Sequence, residues 1–294
     1  MAWWGNAAGT VLGYFRLGLS GVRLKNSSGV LAVRDAADAA DAKIQIADGT
    51  AANHGVSKAQ IESGYQPFMQ DYIAGLVPSW VSANAINVSA GAAYIQSLGY
   101  VYVSASTISL TSIATAATTW YYLYLYNNSG TPAVEVSTTA PADPYYGTAR
   151  SKTGDTSRRF IAAVKTAAAN TLIPFQQVGP RWTWRTETGL SLRALSDGTA
   201  TTATTVRLSS GVPVTARMAS LRLFNLATAG SGISMYFSSA DEALDTSTIY
   251  YGAVDPQSQA YIDFPVDASQ QIKYINSAVS GSSFVDIYGF TVQR

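Results

Sequence analysis

The chain has 294 residues, is 47% hydrophobic, carries only 13% charged side chains and has a formal net charge of +1. Ordinary soluble proteins are about a quarter charged, so small polar residues must coat much of this surface, as suits a secreted or particle-bound β-protein or a subunit that hides surface in an assembly. The near-neutral charge leaves no footprint for nucleic acid or an anionic membrane. The lack of cysteine removes disulfides and thiolate chemistry, and a single histidine, His54, all but excludes zinc.

Residues 1–25 set Trp3, Trp4, Tyr14 and Phe15 among glycines. Such an arm cannot form its own core. It reads either as a strand tucked under the next domain or as an anchor whose aromatics dock into a partner. It lacks a basic n-region and a long apolar run, so it does not read as a signal peptide. No apolar run in the chain is long enough to predict a membrane-spanning helix.

Residues 22–34 read as a short hairpin around an Asn-Ser-Ser-Gly turn. Asp35, Asp38 and Asp41 follow at spacings of three, which lacks the alternate-ligand pattern of an EF-hand; a solvated edge is the favoured reading. Ser57 and Gln60 fit a capping box. Residues 58–76 then predict one or two short helices broken near Gly64 to Pro67, with Phe68, Tyr72, Ile73 and Leu76 on one face.

From Trp80 the pattern is β. Short strands at 85–91, 93–96, 100–103 and 107–110, about ten residues apart, predict a sandwich or barrel. A hairpin follows: Trp120 to Tyr126, an Asn127–Gly130 turn, then Val134 to Thr139. Tyr121, Leu123 and Leu125 share one face; Trp120, Tyr122, Tyr124 and Tyr126 share the other. Both faces are large and apolar, so the strand is either sandwiched within one subunit or meets another chain, and the second alternative predicts oligomerisation. Gly179-Pro180 marks an expected domain boundary. Beyond it about eight strand candidates, among them Pro213–Met218, predict a jelly-roll-like sandwich. In the last of them Phe284, Asp286, Tyr288, Phe290 and Val292 alternate with Val285, Ile287, Gly289 and Thr291.

The predicted fold is therefore mainly β: an anchoring arm (1–25), a hairpin plus short helical linker (26–79), a central β-domain (80–179) and a C-terminal β-sandwich tip (180–294). No Walker loop, dinucleotide fingerprint or Gly-x-Ser-x-Gly elbow occurs. The loop acids Asp241, Glu242 and Asp245, and Asp143 with Asp155, carry no specific motif for glycoside cleavage. The chain is read as a non-enzyme with no catalytic residue, cofactor or metal. Sugar binding needs exposed aromatic platforms on loops. Tyr145, Tyr146, Trp182, Trp184, Tyr250, Tyr251 and Tyr288 are the candidates, with core or inter-subunit packing the favoured alternative for each. Arg158 and Arg159 beside Asp155 read as a structural ion-paired corner.

Several runs carry a resemblance. They are Leu24-Lys-Asn-Ser-Ser-Gly-Val-Leu-Ala-Val-Arg-Asp-Ala-Ala-Asp38, Gly55-Val-Ser-Lys-Ala-Gln-Ile61, Ile86-Asn-Val-Ser-Ala-Gly-Ala-Ala-Tyr-Ile95, Thr119-Trp-Tyr-Tyr-Leu-Tyr-Leu-Tyr126, Ser137-Thr-Thr-Ala-Pro141 and Lys152-Thr-Gly-Asp-Thr-Ser-Arg-Arg-Phe160. Together they resemble a module of tail fibres and related virion proteins of tailed bacteriophages, with Ser57 in place of a threonine. The resemblance spans roughly residues 22–175 and carries no catalytic motif. It implies a fibrous or knob-like homotrimer in the virion, assembled in the host bacterial cytoplasm and extracellular after lysis. The N-terminal arm would bind other virion proteins of the tail, baseplate or capsid. The distal C-terminal part would adhere to host cell-surface polysaccharide. The alternative is a structural connector or capsid fibre without receptor binding; a surface-glycan depolymerase ranks third.

Overall fold

The computed structural model describes residues 14–16, 21–27, 30–41, 69–113, 116–185, 192–225, 234–240, 259–280, 282–292 and 294. The chain divides into two compact units, Met1–Tyr65 and Gln66–Arg294. It is mainly β, and among the described residues every element is a strand.

In the first unit, β1 (Tyr14–Arg16), β2 (Arg23–Ser27) and β3 (Val30–Arg34) form an antiparallel sheet in that order. The expected hairpin over 22–34 is present, with Leu24 opposite Val33. Tyr14 lies opposite Lys25 and Phe15 opposite Leu24, so the expected arm ends in a paired strand. Trp3, Trp4 and His54, and the side chains of Tyr14 and Phe15, lie outside what is described. The evenly spaced aspartates organise the turn after β3. Asp38, at φ 60°, accepts from Lys25 Nζ at 2.7 Å and from Arg34 Nε at 3.0 Å, while Arg34 Nη1 reaches Asp41 at 2.5 Å. Asp35 accepts the Ala39 N–H at 2.8 Å. Hydrogen bonds from Lys25 and then Arg34 hold the Asp38 carboxyl below its usual range. These contacts are solvated and set geometry more than they stabilise.

The second unit begins with β4 (Ile73–Gly75), β5 (Pro78–Ser82), β6 (Ala85–Val88), β7 (Gly91–Ile95), β8 (Tyr100–Ser104), β9 (Ile108–Leu110), β10 (Trp120–Asn128), β11 (Thr131–Ser137), β12 (Ser151–Lys152) and β13 (Asp155–Lys165). They form three sheets, ordered β4-β7-β8, β5-β6-β9 and β11-β10-β13-β12. The strands expected from 85 to 110 are all present. The helix expected over 58–76 is corrected at its end: Ile73–Gly75 pairs antiparallel with Gly91–Ala93; residues 58–68 lie outside the description. The reason is local. Gly75 (φ 63°) and Leu76 (φ 52°) take left-handed backbone that breaks a helix. Gly91 approaches so closely that a Cβ there would stand 2.4 Å from the Ala74 carbonyl oxygen. Leu76 is thereby turned into the core, fully buried.

The β10–β11 hairpin has the expected turn. Ser129 (φ 51°) and Gly130 (φ 92°) both take positive φ between the paired Asn128 and Thr131, the geometry of a type I′ turn. Tyr121, Leu123 and Leu125 enter the main core. Tyr122 and Tyr124, 4% and 0% exposed, form a second cluster with Phe160 and Ala163, flanked by Trp120 and Ala140. The second face is thus sandwiched within the subunit, and this strand no longer argues for oligomerisation. A bulge makes the double burial work: Leu123 faces Ala162 but Tyr124 faces Phe160. The extra residue, Ile161, joins the main core beside Ala162 while Phe160 stays beside the tyrosines on the other face. Burial pushes the Tyr122 phenol up to about 12, and Tyr124 donates to the Thr139 carbonyl at 2.7 Å.

The remaining strands are β14 (Phe175–Val178), β15 (Arg181–Trp184), β16 (Leu192–Gly198), β17 (Thr204–Arg207), β18 (Met218–Asn225), β19 (Met235–Ser239), β20 (Gln259–Pro265), β21 (Gln271–Asn276) and β22 (Ser283–Thr291). One sheet runs β14-β15-β22-β18-β20, with β16 also on β22; another runs β17-β21-β19. Leu221, Val285 and Phe264 of the first and Val206, Ile272 and Phe237 of the second share one core. Two expectations change here. Residues 213–217 form a turn, with the Ala216 N–H on the Pro213 carbonyl at 3.0 Å, and the strand starts at Met218. Gly179-Pro180 is the tip of a hairpin, not a domain boundary: Val178 pairs with Arg181, and Gly179 at φ 57° before a proline fits a type II′ turn.

A run of aromatic contacts joins the two halves of this unit. Trp182 stacks on Phe175 (4.2 Å) and Phe290 (5.6 Å), while Trp120 of β10 meets Trp184 (5.9 Å) and Phe290 (6.1 Å). Trp120 Nε1 donates to the Ser209 carbonyl and Trp184 Nε1 to the Gly211 carbonyl, both at 2.9 Å. Lys165, nearly buried, lies over the Trp120 ring at 5.1 Å and also donates to Ser209. The Trp182 indole N–H has no hydrogen-bond partner, so its value here is its surface. Trp182→Ala is expected to cost about 3–5 kcal/mol. Trp182→Phe, which removes that buried N–H, is expected to cost less than about 1.5 kcal/mol. Urea midpoints at unchanged m check both.

Candidate functional site

The outer face of the β15-β22-β18-β20 sheet carries the chemistry. Its inner positions are apolar, so alternation turns Arg181 and Thr183 (β15), Ser220, Arg222 and Phe224 (β18), Tyr261 and Asp263 (β20) and Phe284 and Asp286 (β22) outward. A bulge adds Tyr288. Ser220 pairs with Gly289 and Leu221 with Ile287, so Tyr288 is the extra residue on that edge. The same bulge returns Phe290 and Val292 to the core, which corrects the unbroken alternation expected from 284 to 292. Gly289 cannot carry a side chain, because a Cβ there would lie 2.0 Å from the Trp182 carbonyl oxygen.

Arg181, Thr183, Ser220, Leu221, Tyr261, Ile262, Asp263 and Tyr288 line an open cleft of about 380 Å³ on this face. Tyr261, 64% exposed, meets Tyr288 edge to face with centroids 5.3 Å apart. The Tyr288 phenol is raised by burial and by its hydrogen bond with Tyr261, against the pull of Arg222. Arg181 forks onto Asp263 through Nη1 at 3.3 Å and Nη2 at 3.4 Å, and the Ser220 hydroxyl donates to the same carboxylate at 2.5 Å. Below the cleft, Asp286 (side chain 4% exposed) joins Arg193 at 2.8 Å and Arg222 at 2.5 Å. Both guanidinium groups also lie over the stacked Phe224–Phe284 pair, whose rings are 4.6 Å apart. Burial pushes the Asp286 carboxyl up, but the hydrogen bonds and charges of Arg193 and Arg222 outweigh it and hold it below its usual range.

This arrangement suits recognition rather than proton transfer. Asp263 and Asp286 are each paired with arginine, and the Asp286 carboxyl is held below its usual range, whereas a general acid needs a raised one. The cleft instead offers two tyrosine rings, the Thr183 hydroxyl and an Arg181–Asp263 pair that is half exposed and so still open to polar groups, the mix that polar, ring-bearing ligands require.

The residues expected to bind sugar divide. Trp182 and Trp184 are 0% and 2% exposed, and are corrected to core residues that cannot present a ring face. Tyr145 is half-buried, with its hydroxyl on the Gln70 carbonyl at 3.3 Å. Tyr146, 42% exposed, stays at the surface. Tyr250 and Tyr251, and the acids Asp241, Glu242 and Asp245, lie outside the described residues. Of the described candidates, Tyr288 alone is brought to the cleft. Tyr261, Arg181, Asp263 and Ser220 escaped sequence reasoning; the charged residues set at alternate positions in otherwise apolar strands were the available signal. The ion-paired corner expected of Arg158 and Arg159 beside Asp155 is corrected: Arg158 pairs chiefly with Glu135 at 2.6 Å, with Asp155 3.9 Å away, and stacks over Tyr126 at 4.0 Å, whereas Arg159 is buried apart from it. Among the described residues no cluster of three or more potential metal ligands occurs, and no helix is long and apolar enough to cross a membrane.

No family model matches this chain, and no curated protein matches it.

Asp286 gives the site a definite pH response. Its folded-state pKa is depressed, so the stability it contributes is present above the unfolded value of about 4 and is lost as pH falls from there through the folded value. Asp286→Asn is expected to cost about 2–3 kcal/mol at pH 7 by stranding two arginines. The penalty should shrink below about pH 4; denaturant melts of both proteins from pH 7 to pH 3 check it.

Proposed function

We propose that this chain is a non-enzymatic virion fibre protein of a tailed bacteriophage, and that the cleft on the outer face of β15-β22-β18-β20 adheres to host cell-surface polysaccharide. The observation that carries the adhesive part is the solvent-facing Tyr261–Tyr288 pair set beside the Arg181–Asp263 fork. Sugars offer apolar ring faces and vicinal hydroxyls, and this cleft pairs aromatic edges with fixed donors and acceptors at that scale. The fibre context rests on the resemblance of residues 22–175, and the mainly β architecture is compatible with it.

The subunit assembles as a homotrimer whose N-terminal arm, with Trp3, Trp4, Tyr14 and Phe15, engages a tail, baseplate or capsid protein. The two sheets beyond residue 175 form its jelly-roll-like distal part. Large side chains exposed at Tyr72, Tyr100 and Val103, on or beside the β4-β7-β8 sheet, supply apolar surface for self-association. The protein works outside the host after lysis, without a cofactor.

Light scattering on the purified chain is expected to give three times the 31.0 kDa subunit mass; a stable monomer overturns the trimer. For adhesion, the full chain is applied to a bacterial glycan array. Tyr261→Ala and Arg181→Ala are each expected to weaken binding at least tenfold (about 1.4 kcal/mol) with melting unchanged. Binding by wild type that both variants retain would move the site elsewhere, and no binding to any host-surface glycan would favour a structural connector.

A further inference from the structure

Two guanidinium groups occupy positions where a β-protein ordinarily buries aliphatic side chains. Arg159 on β13 is fully buried and Arg150, just before β12, is 5% exposed. Arg159 spends one donor, Nη1, on the Arg150 carbonyl at 3.4 Å, while its Nε and Nη2 have no hydrogen-bond partner. Arg150 gives Nη1 to the Ala142 carbonyl at 3.0 Å. Its Nε is likewise without a partner, and its carboxylate neighbour, Asp143, is fully exposed and 3.9 Å away.

Among the described residues, more positive charge gathers here than carboxylates pair with. Arg294 donates to the Leu76 carbonyl at 2.9 Å; burial, and then the charge of Arg159, destabilise its charged form. Tyr145 and then Asp71 attract Arg159 from a distance, but Asp71 Oδ1 accepts the Thr148 backbone N–H at 3.3 Å, and the Thr148 hydroxyl is shared between that oxygen at 3.3 Å and the Arg294 carbonyl at 3.0 Å. An ionised group buried without a partner costs several kcal/mol, on the order of 3–5. Arginine cannot escape by losing its proton.

Which donors are left over is informative. Nε and Nη2 lie along one edge of a guanidinium and point the same way; that edge grips the two oxygens of a carboxylate, phosphate or sulfate at once. On Arg159 those two are the donors without acceptors. We propose that the Nε/Nη2 edge of Arg159 holds a small oxyanion of the phosphate, sulfate or carboxylate class inside the Gln66–Arg294 unit, with Arg150 and Arg294 supplying the surrounding charge. The anion is a structural ligand, taken up on folding and distinct from the surface cleft.

The full chain is unfolded in urea, stripped of anions by dialysis and refolded at fixed ionic strength in chloride with 0–10 mM phosphate, sulfate or acetate. At least one is expected to raise the melting temperature along a saturating curve, by about 5–10 °C at one hundred times its Kd. Arg159→Met is expected to abolish that increment, while the surface control Arg181→Met keeps it. Should Arg159→Met fail to fold, crystals of wild type grown with selenate decide the matter. The anomalous peak is expected within hydrogen-bond distance of Arg159 Nε and Nη2. A melting temperature indifferent to all three anions, an increment that survives in Arg159→Met, or selenate bound only elsewhere overturns the proposal.

Discussion

The Phe175–Trp182–Phe290–Trp184–Trp120 aromatic run is the constraint from which much of the Gln66–Arg294 unit follows. Trp182 between Phe175 and Phe290 locks the β14–β15 hairpin onto β22. Trp120, at the start of β10, brings one end of the β11-β10-β13-β12 sheet to the same point. Two indole N–H groups and Lys165 converge on the carbonyls of Ser209 and Gly211, so the loop before β18 is held by polar contacts that could not form unless the rings were packed. Large rings bury much area for little conformational entropy, an economical choice in a chain with no cysteine to cross-link.

Two β-bulges then decide which side chains face where. On β13, Ile161 is added opposite the Leu123–Tyr124 step, and one strand serves two apolar clusters. On β22, Tyr288 is added opposite the Ser220–Leu221 step, and Phe290 joins the core while Tyr288 stays beside Tyr261. Each device resolves a conflict that strict alternation would leave, since shifting a strand by one residue exchanges its faces.

The sequence is legible where the physics is local. Alternation and turn residues place the strands from Ala85 to Leu110 and the hairpin around Asn127–Gly130, whose last two residues form the turn because type I′ geometry demands residues that tolerate positive φ. It is illegible where the outcome depends on what arrives from far along the chain. Nothing in Trp120 to Tyr126 says that Tyr122 and Tyr124 will be buried with Phe160 beside them and Ala140 packed against the group. The indoles of Trp182 and Trp184 look the same whether a sheet buries them or a loop displays them. Gly179-Pro180 serves a linker or a hairpin equally well, and only the pairing of Val178 with Arg181 separates the two. Ile73 to Leu76 had helical spacing, but the close approach of Gly91 selected a strand. Of the candidate cleft, Tyr288 could be nominated in advance; Tyr261, Arg181 and Asp263 come from strands far apart in sequence and meet only through sheet order.

The bulge at Tyr288 also separates two properties that most surfaces couple. Tyr288 has no pairing partner on β18, and Tyr261 stands on the outward row of β20, so neither contributes to the inward set of Leu221, Ile287, Phe290 and Phe264. Substitution at these two positions can therefore change the texture of the outer face while the inward ladder keeps its register. A lineage carrying this fold could diversify what it touches by drift at a few outward positions without first acquiring stability to spend on it.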